Sequence, residues 1–319
     1  MDHWKQKTAI LIFCLLAGSA ISMPLSPRFF GNAHMSSAEL LTTFKPAQKT
    51  EPPVPPAAAP NLIAKAALIY DPLHDMVIFE KKSAQKFGIA SITKIMTALV
   101  AFDRLGPEEH ILISRDAVLT EGSEGNLMVG EHFSMRDLAA VMLTSSSNDA
   151  AAAIAEHIGR LYGATAFEES QIMFTRLMNE YAQNLNLTST LFRNPTGLDL
   201  DENTITASNV STAQDLALLM KYTYSHPLFA DSAAATNITV YSKEGREHHT
   251  DTTHDILITH PSVVSGKTGF TDAAGGALLT LAEVPLGQVS IIVVLGSTRE
   301  GRFTDTKALL DWLRSVYQI

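Results

Sequence analysis

Two short alternating segments near one end of the chain and three near the other enclose a long stretch of helical periodicity. Ala64–Asp71 and Met76–Lys82 read as strands around a turn at Asp71-Pro72, because apolar and aromatic residues fill them and proline presets the bend. Ser265–Phe270, Gly275–Val284 and Gln288–Ser297 read as three further strands with short connections. Between these groups, Ile92, Ile95, Met96, Leu99 and Val100 recur at helical spacing within Ser91–Leu105. Ser134–Ser146, which opens on a capping serine, Asn148–Gly159, Phe167–Leu185 and Ser211–Tyr224 also read as helices, and Asp305–Tyr317 closes the chain as an amphipathic helix. The order strands, helices, strands, helix predicts an α/β fold. It is an antiparallel sheet of about five strands from both chain ends, with flanking helices and an inserted all-helical lobe. The cleft between sheet and lobe is the expected place for a site.

The first 61 residues obey neither periodicity. Lys5 and Lys7 precede the apolar run Ala9–Ile21, which has the length of an export signal. Gly18-Ser19-Ala20 offers small residues for cleavage after Ala20, while Met23–Leu25 would extend the run toward an uncleaved anchor. The one cysteine, Cys14, lies inside this run, and Leu11-Ile12-Phe13 lacks the small residue that precedes a lipidated cysteine. The exported part therefore has no disulfide and no thiol chemistry. Lys45–Pro60 is rich in proline and alanine and reads as an extended spacer. The expected organisation is a signal peptide or signal anchor at 1–25, a linker at 26–61 and one folded domain at 62–319. The whole chain is 46% hydrophobic and 18% charged, enough to bury a large core. A net charge of −9 and the lack of a dense Lys/Arg block argue against a nucleic-acid partner.

Three short motifs sit at element boundaries around the expected cleft. The stretch GIASITKIMTA holds Ser91 and Lys94, three residues apart and one helical turn from each other. A serine hydroxyl is a weak nucleophile at neutral pH and needs a base. A lysine buried among apolar residues and near other cations loses its proton readily and can serve. Ser91 also stands near a helix start, where the dipole favours developing negative charge. Ser146-Ser147-Asn148 falls between two expected helices: Ser146 can relay a proton, and Asn148 can bind a substrate amide, with a helix cap at Ser147 or Asn148 compatible with both. Lys267-Thr268-Gly269 falls on an expected strand, where Lys267 and Thr268 suit a carboxylate and Gly269 lets a substrate strand approach the backbone. Each motif alone is weak. In this order, in an exported chain, they match the set of serine penicillin-binding enzymes and class A β-lactamases.

The resemblance is wider than the triplets. ASITKIMTA, GEHFSMRDLAAVMLTSSSNDAAAAIAEHIG, FRNPTGLD, STAQDLALLM and SGKTGFTDAAGGALLTLAE resemble the D-alanyl-D-alanine carboxypeptidase family, the low-molecular-mass penicillin-binding proteins. The similarity runs from about Leu62 to the end of the chain. It implies the β-lactamase/transpeptidase-like fold, a substrate ending in D-Ala-D-Ala on a peptidoglycan stem peptide, covalent inhibition by β-lactams, and a place in the bacterial cell envelope. It implies no cofactor. It makes Ser91 the acylated nucleophile and Lys94 its base, and it implies an oxyanion hole from the backbone N–H groups of Ser91 and Phe270. A DD-endopeptidase that cuts cross-links is the nearest rival reading, followed by a serine β-lactamase and a non-catalytic wall-binding protein. For the β-lactamase, Asp199 and Glu202 offer carboxylates in a loop but show no matching Glu-x-x-x-Asn pattern.

Other candidates rank lower. His248, His249, Asp251 and His254 crowd one loop-like stretch, but their spacing fits no familiar zinc pattern, so no metal is expected. The family usually carries asparagine near His254, which leaves that position without an assigned role. Arg299 and Arg302 follow the last strand and could face either a carboxylate or solvent. Any membrane attachment is expected through the N-terminal segment.

Overall fold

The computed structural model describes residues 58–122, 125–199 and 206–318. The expected leader, nearly all of the linker and Glu202 lie outside the described residues. The central sheet has five strands: β1 (Ala66–Asp71), β2 (Met76–Lys81), β9 (Val263–Thr271), β10 (Gly275–Glu283) and β11 (Val289–Ser297). Their order is β2-β1-β11-β10-β9, and every pairing is antiparallel. The first and last strands of the chain therefore lie side by side in the middle, with Leu68 opposite Val293.

Side-chain alternation explains why β1 and β11 read as nearly unbroken apolar runs. Leu68, Val293 and Leu295 point to one face and join the large core under the helices. Ile69, Ile292 and Val294 point to the other and pack with Leu309, Leu310 and Leu313 of the C-terminal helix α9 (Gly301–Tyr317). A sheet covered on both faces has no polar side to display. The helix α9 starts four residues before the expected Asp305, because Thr298 Oγ1 accepts the N–H of Gly301 at 2.8 Å. Asp305 then accepts the N–H groups of Ile63 and Ala64, each at 2.8 Å, and fastens the chain's entry to this helix.

The helical lobe forms between β2 and β9. The chain passes through β3 (Phe87–Gly88) and a 3₁₀ turn at Ala90–Thr93 into α1 (Lys94–Arg104), which is buried along most of its length. The periodicity predicted one helix from Ser91. The tighter first turn arises where Ala90 sits at φ +45° and Thr93 Oγ1 donates to Ala90 O at 2.7 Å. After the short pieces β4 (His110–Leu112), α2 (Arg115–Val118) and β5 (His132–Ser134), three longer helices follow: α3 (Met135–Thr144), α4 (Asn148–Leu161) and α5 (Phe167–Asn184). Ser134 caps α3 by accepting from Asp137 N, and Ser147 caps α4 by accepting from Ala150 N at 3.0 Å. Beyond β6 (Val210–Ser211), α6 (Ala213–Thr223) packs on β11, and α7 (Pro227–Ala233) packs on α3.

The stretch expected to be a histidine-rich loop is mostly strand. Asn237–Tyr241 (β7) and Glu247–Asp251 (β8) form an antiparallel hairpin, and the short helix α8 (Asp255–Thr259) leads from it into β9. Alternation is present in β8, but its buried members are His248 and Thr250. A period of two carried by polar side chains does not register as an amphipathic strand.

Candidate active site

The 3₁₀ turn at the start of α1 puts Ser91 and Lys94 on one edge, since side chains at i and i+3 eclipse in that geometry. Lys94 Nζ lies 3.0 Å from Ser91 Oγ. It also donates to Asn148 Oδ1 and to the carbonyl of Thr196, each at 2.6 Å. Lys94 is fully buried. Burial, and next the charge of Lys267, hold its ammonium well below the usual lysine range, against a smaller opposing pull from Asp149. The amine at this position therefore gives up its proton far more readily than a surface lysine.

Asn148 opens α4 and faces Lys94 with its carbonyl, while its Nδ2 donates to Glu121 O at 2.8 Å. Both ends of the carboxamide are thus held within the protein. Ser146 lies between α3 and α4 in the left-handed region, φ +68°, and stays partly exposed. Its hydroxyl is not among the three groups that Lys94 reaches.

The edge strand β9 runs beside Ser91. A Cβ at Gly269 would stand 2.7 Å from Ile89 O and 3.1 Å from Ser91 N, so only glycine lets the strand lie this close. The close neighbour on that side is the protein's own Ile89–Ser91 segment. Arg302 of α9 is buried and donates from Nη1 to Gly269 O at 2.8 Å, and the Arg299 guanidinium lies 3.9 Å from the centre of the Phe270 ring. Arg302 is therefore no surface group, whereas Arg299 is exposed and lies over that ring.

Lys267 is 1% exposed, and its Nζ donates to the carbonyl of Thr268 at 3.2 Å. Burial first, and Arg302 second, push its pKa down to about 7. The hydroxyl of Thr268 lies 2.6 Å from that of Thr253, a residue that the motifs did not bring forward. Thr253 N in turn donates to Thr144 O at the end of α3, so this segment ties the end of the helical lobe to the strand. No spacing in the chain links Thr253 to Thr268; only the fold does.

The histidine cluster resolves into separate structural roles. His248 Nε2 and Arg246 Nε both lie 3.0 Å from Glu131 Oε1. His249 is exposed. His254 is buried under β9, caps α8 by accepting from Leu257 N at 3.2 Å, and lies 3.3 Å from Thr280 Oγ1 through Nε2. Burial, then Lys267, pull its pKa to about 3. Among the described residues no three His, Cys, Asp or Glu side chains converge as a metal site would require. Asp199 accepts the N–H of Ser208 at 3.0 Å.

Residues 54–299 match the model of a family described as D-alanyl-D-alanine carboxypeptidase. A D-alanyl-D-alanine endopeptidase of Pseudomonas aeruginosa is 29% identical over 275 residues, which is 82% of this chain and 82% of that protein. The D-alanyl-D-alanine carboxypeptidase DacC of Escherichia coli K12 is 30% identical over 267 residues, covering 80% of this chain and 62% of that protein. The crystal structure of a D-alanyl-D-alanine carboxypeptidase from Mycobacterium tuberculosis H37Rv superposes with a TM-score of 0.69 at 26% identity, over 84% of this chain and 95% of that one.

Proposed function

Because the chain belongs to the D-alanyl-D-alanine carboxypeptidase family, we propose that it removes the terminal D-alanine from peptidoglycan stem pentapeptides through an ester on Ser91. The observation that carries the assignment is the fully buried Lys94 amine 3.0 Å from the Ser91 hydroxyl. Ser91 Oγ attacks the carbonyl carbon of the penultimate D-alanine while its proton passes to Lys94 Nζ. The backbone N–H groups of Ser91 and Phe270 hold the oxygen as it becomes negative; one such donor typically contributes ~3 kcal/mol to the transition state. The C–N bond then breaks, and the departing D-alanine nitrogen receives the proton from Lys94 by way of Ser146. Water attacks the ester and returns Ser91 with a new carboxyl group on the peptide. Asn148 steadies the amine, and Lys267 with Thr268 seats the terminal carboxylate of the substrate. A β-lactam acylates the same oxygen, and its ring-opened product stays esterified.

DD-endopeptidase activity is the second reading. It is favoured by the similarity to an enzyme named for that activity and by a Lys267 that is only about half charged near neutral pH. Export rests on the run Ala9–Ile21. Among the described residues, no helix is long and apolar enough to cross a membrane.

The test is intact-mass analysis after labelled penicillin, followed by peptide mapping. One adduct is expected, on Ser91, and Ser91→Ala is expected to remove it while leaving the fold unchanged. A label on another residue, or one retained in the variant, would overturn the assignment.

A further inference from the structure

The sequence FRNPTGLD contributes to the family resemblance but no part of the chemistry above. In the structure it builds the turn that supplies the third partner of Lys94, the carbonyl of Thr196 at 2.6 Å. Asn194 organises that turn. Its Oδ1 accepts from Gly197 N at 2.7 Å, from Thr196 N at 3.2 Å and from Thr196 Oγ1 at 3.1 Å. Its Nδ2 donates to Leu198 O at 2.7 Å.

The turn is fixed directly to the nucleophile segment. Thr97 Oγ1 donates to Pro195 O at 2.7 Å, and Asn209 Nδ2 donates both to Asn194 O and to Thr93 Oγ1 at 2.9 Å. Gly197 has φ +90°, and a Cβ there would stand 2.1 Å from Ala90 O. This bend can therefore be made only by glycine and only in contact with the turn that carries Ser91.

A general base must present a lone pair. An unprotonated amine has two N–H bonds, and two of the three neighbours of Lys94 are carbonyl oxygens, which can only accept. If both N–H bonds go to those carbonyls, the lone pair is left facing the third neighbour, the Ser91 hydroxyl. We propose that Asn194 is a positioning residue of the general base: it holds the Thr196 carbonyl against Lys94 and so aims the amine's lone pair at Ser91. The proposal rests on the Ser91–Lys94 reading above.

The test measures the rate of acylation by labelled penicillin per titratable active site, from about pH 5 to about pH 9, in Asn194→Ala and in the milder, isosteric Thr97→Val. Asn194→Ala is expected to slow acylation ~10–100-fold, and Thr97→Val by a few fold in the same direction. Neither change touches the Lys267–Thr268 seat, so the dissociation constant of the peptide is expected to stay constant. Once the turn loosens, Lys94 regains contact with water and holds its proton more tightly, so the acid limb of the acylation profile moves to higher pH. The charged groups bearing on Lys94, Lys267 and Asp149, lie outside the turn and are unaltered by either variant. If Asn194→Ala does not fold, Thr97→Val alone decides. A lower titratable fraction with an unchanged rate and profile per active site would mean a purely structural role and overturn the proposal. So would a rise in KM with an unchanged acylation rate. Failure of the underlying reading would be seen elsewhere, as a label that survives Ser91→Ala.

Discussion

A free D-alanine carboxylate and its amide are to be distinguished by a group that is itself titrating. Lys267 has a pKa of about 7 because burial and the nearby Arg302 disfavour its charged form. The substrate's carboxyl group, with an ordinary pKa near ~3.5, is ionised throughout the neutral range. About nine-tenths of Lys267 is then charged at about pH 6 and about one-tenth at about pH 8. The gain from a charge-assisted contact should follow that fraction, so its contribution to kcat/KM for the free-acid peptide is expected to fall about tenfold across this interval. Lys94 contributes a limb of the opposite sign, because it must be unprotonated to act. That limb is common to both substrates and cancels in their ratio. The assay measures release of D-alanine from a stem pentapeptide and of D-alaninamide from its amidated counterpart, by mass spectrometry, from about pH 5.5 to about pH 8.5. The acid-to-amide ratio should be level below about pH 6 and fall toward tenfold per unit above about pH 7. Binding of the free acid at about pH 8 should also take up a proton, seen in calorimetry as a dependence on the buffer's ionisation enthalpy. A ratio that is flat across the range, or faster cleavage of cross-linked dimers, would remove Lys267 from the carboxylate seat and leave the endopeptidase reading.

Two further outcomes follow from the same geometry. Lys94→Arg keeps a cation but cannot present a free amine near neutrality, so acylation by labelled penicillin should fall at least ~100-fold with circular dichroism unchanged; near-normal acylation would place the base elsewhere, with Ser146 next in line. His254, at about 3 in the folded protein against an ordinary 6.5, binds fewer protons folded than unfolded between those values, so its contribution makes stability fall as pH drops through that window. By about pH 4 the deficit is on the order of 3 kcal/mol, and His254→Asn, which can still cap α8, should remove that part of the acid sensitivity in urea unfolding at about pH 7 and about pH 4; an equal loss in both proteins would refute it.

What the sequence made legible follows from where apolar residues carry the pattern. The five-stranded sheet, the helical lobe and the closing helix all rest on hydrophobic periodicity, and each lies within a few residues of its expected place. The approach of Ser91 to Lys94 was legible because the two are local to each other. Hidden features depend on polar side chains or on contacts across long separations. The strand β8 buries His248 and Thr250, and the cap at His254 uses a ring nitrogen. Thr196 reaches Lys94 through its backbone, so its side chain gives no hint of the contact. The partnership of Thr253 with Thr268 joins two residues 15 positions apart, which meet because the chain turns back through α8 into β9.

Pairing the first strand with the last also sets the order in which this protein can become whole. The contact between Ala64 and Asp305 spans 241 residues, and β1 has only β2 beside it until β11 has been made. A two-stranded ribbon is marginal by itself, and pairings this distant in the chain form slowly. Ser91, Lys94, Asn148 and the Thr196 turn all belong to the earlier part of the chain, whereas Lys267 and Thr268 lie on an edge strand that is anchored to the sheet only through β10. In the proposed mechanism the reactive pair is thus complete in sequence, during synthesis, before the strand proposed to seat the substrate exists. An unfinished or C-terminally clipped chain would carry its reagents without a place to hold what they act on.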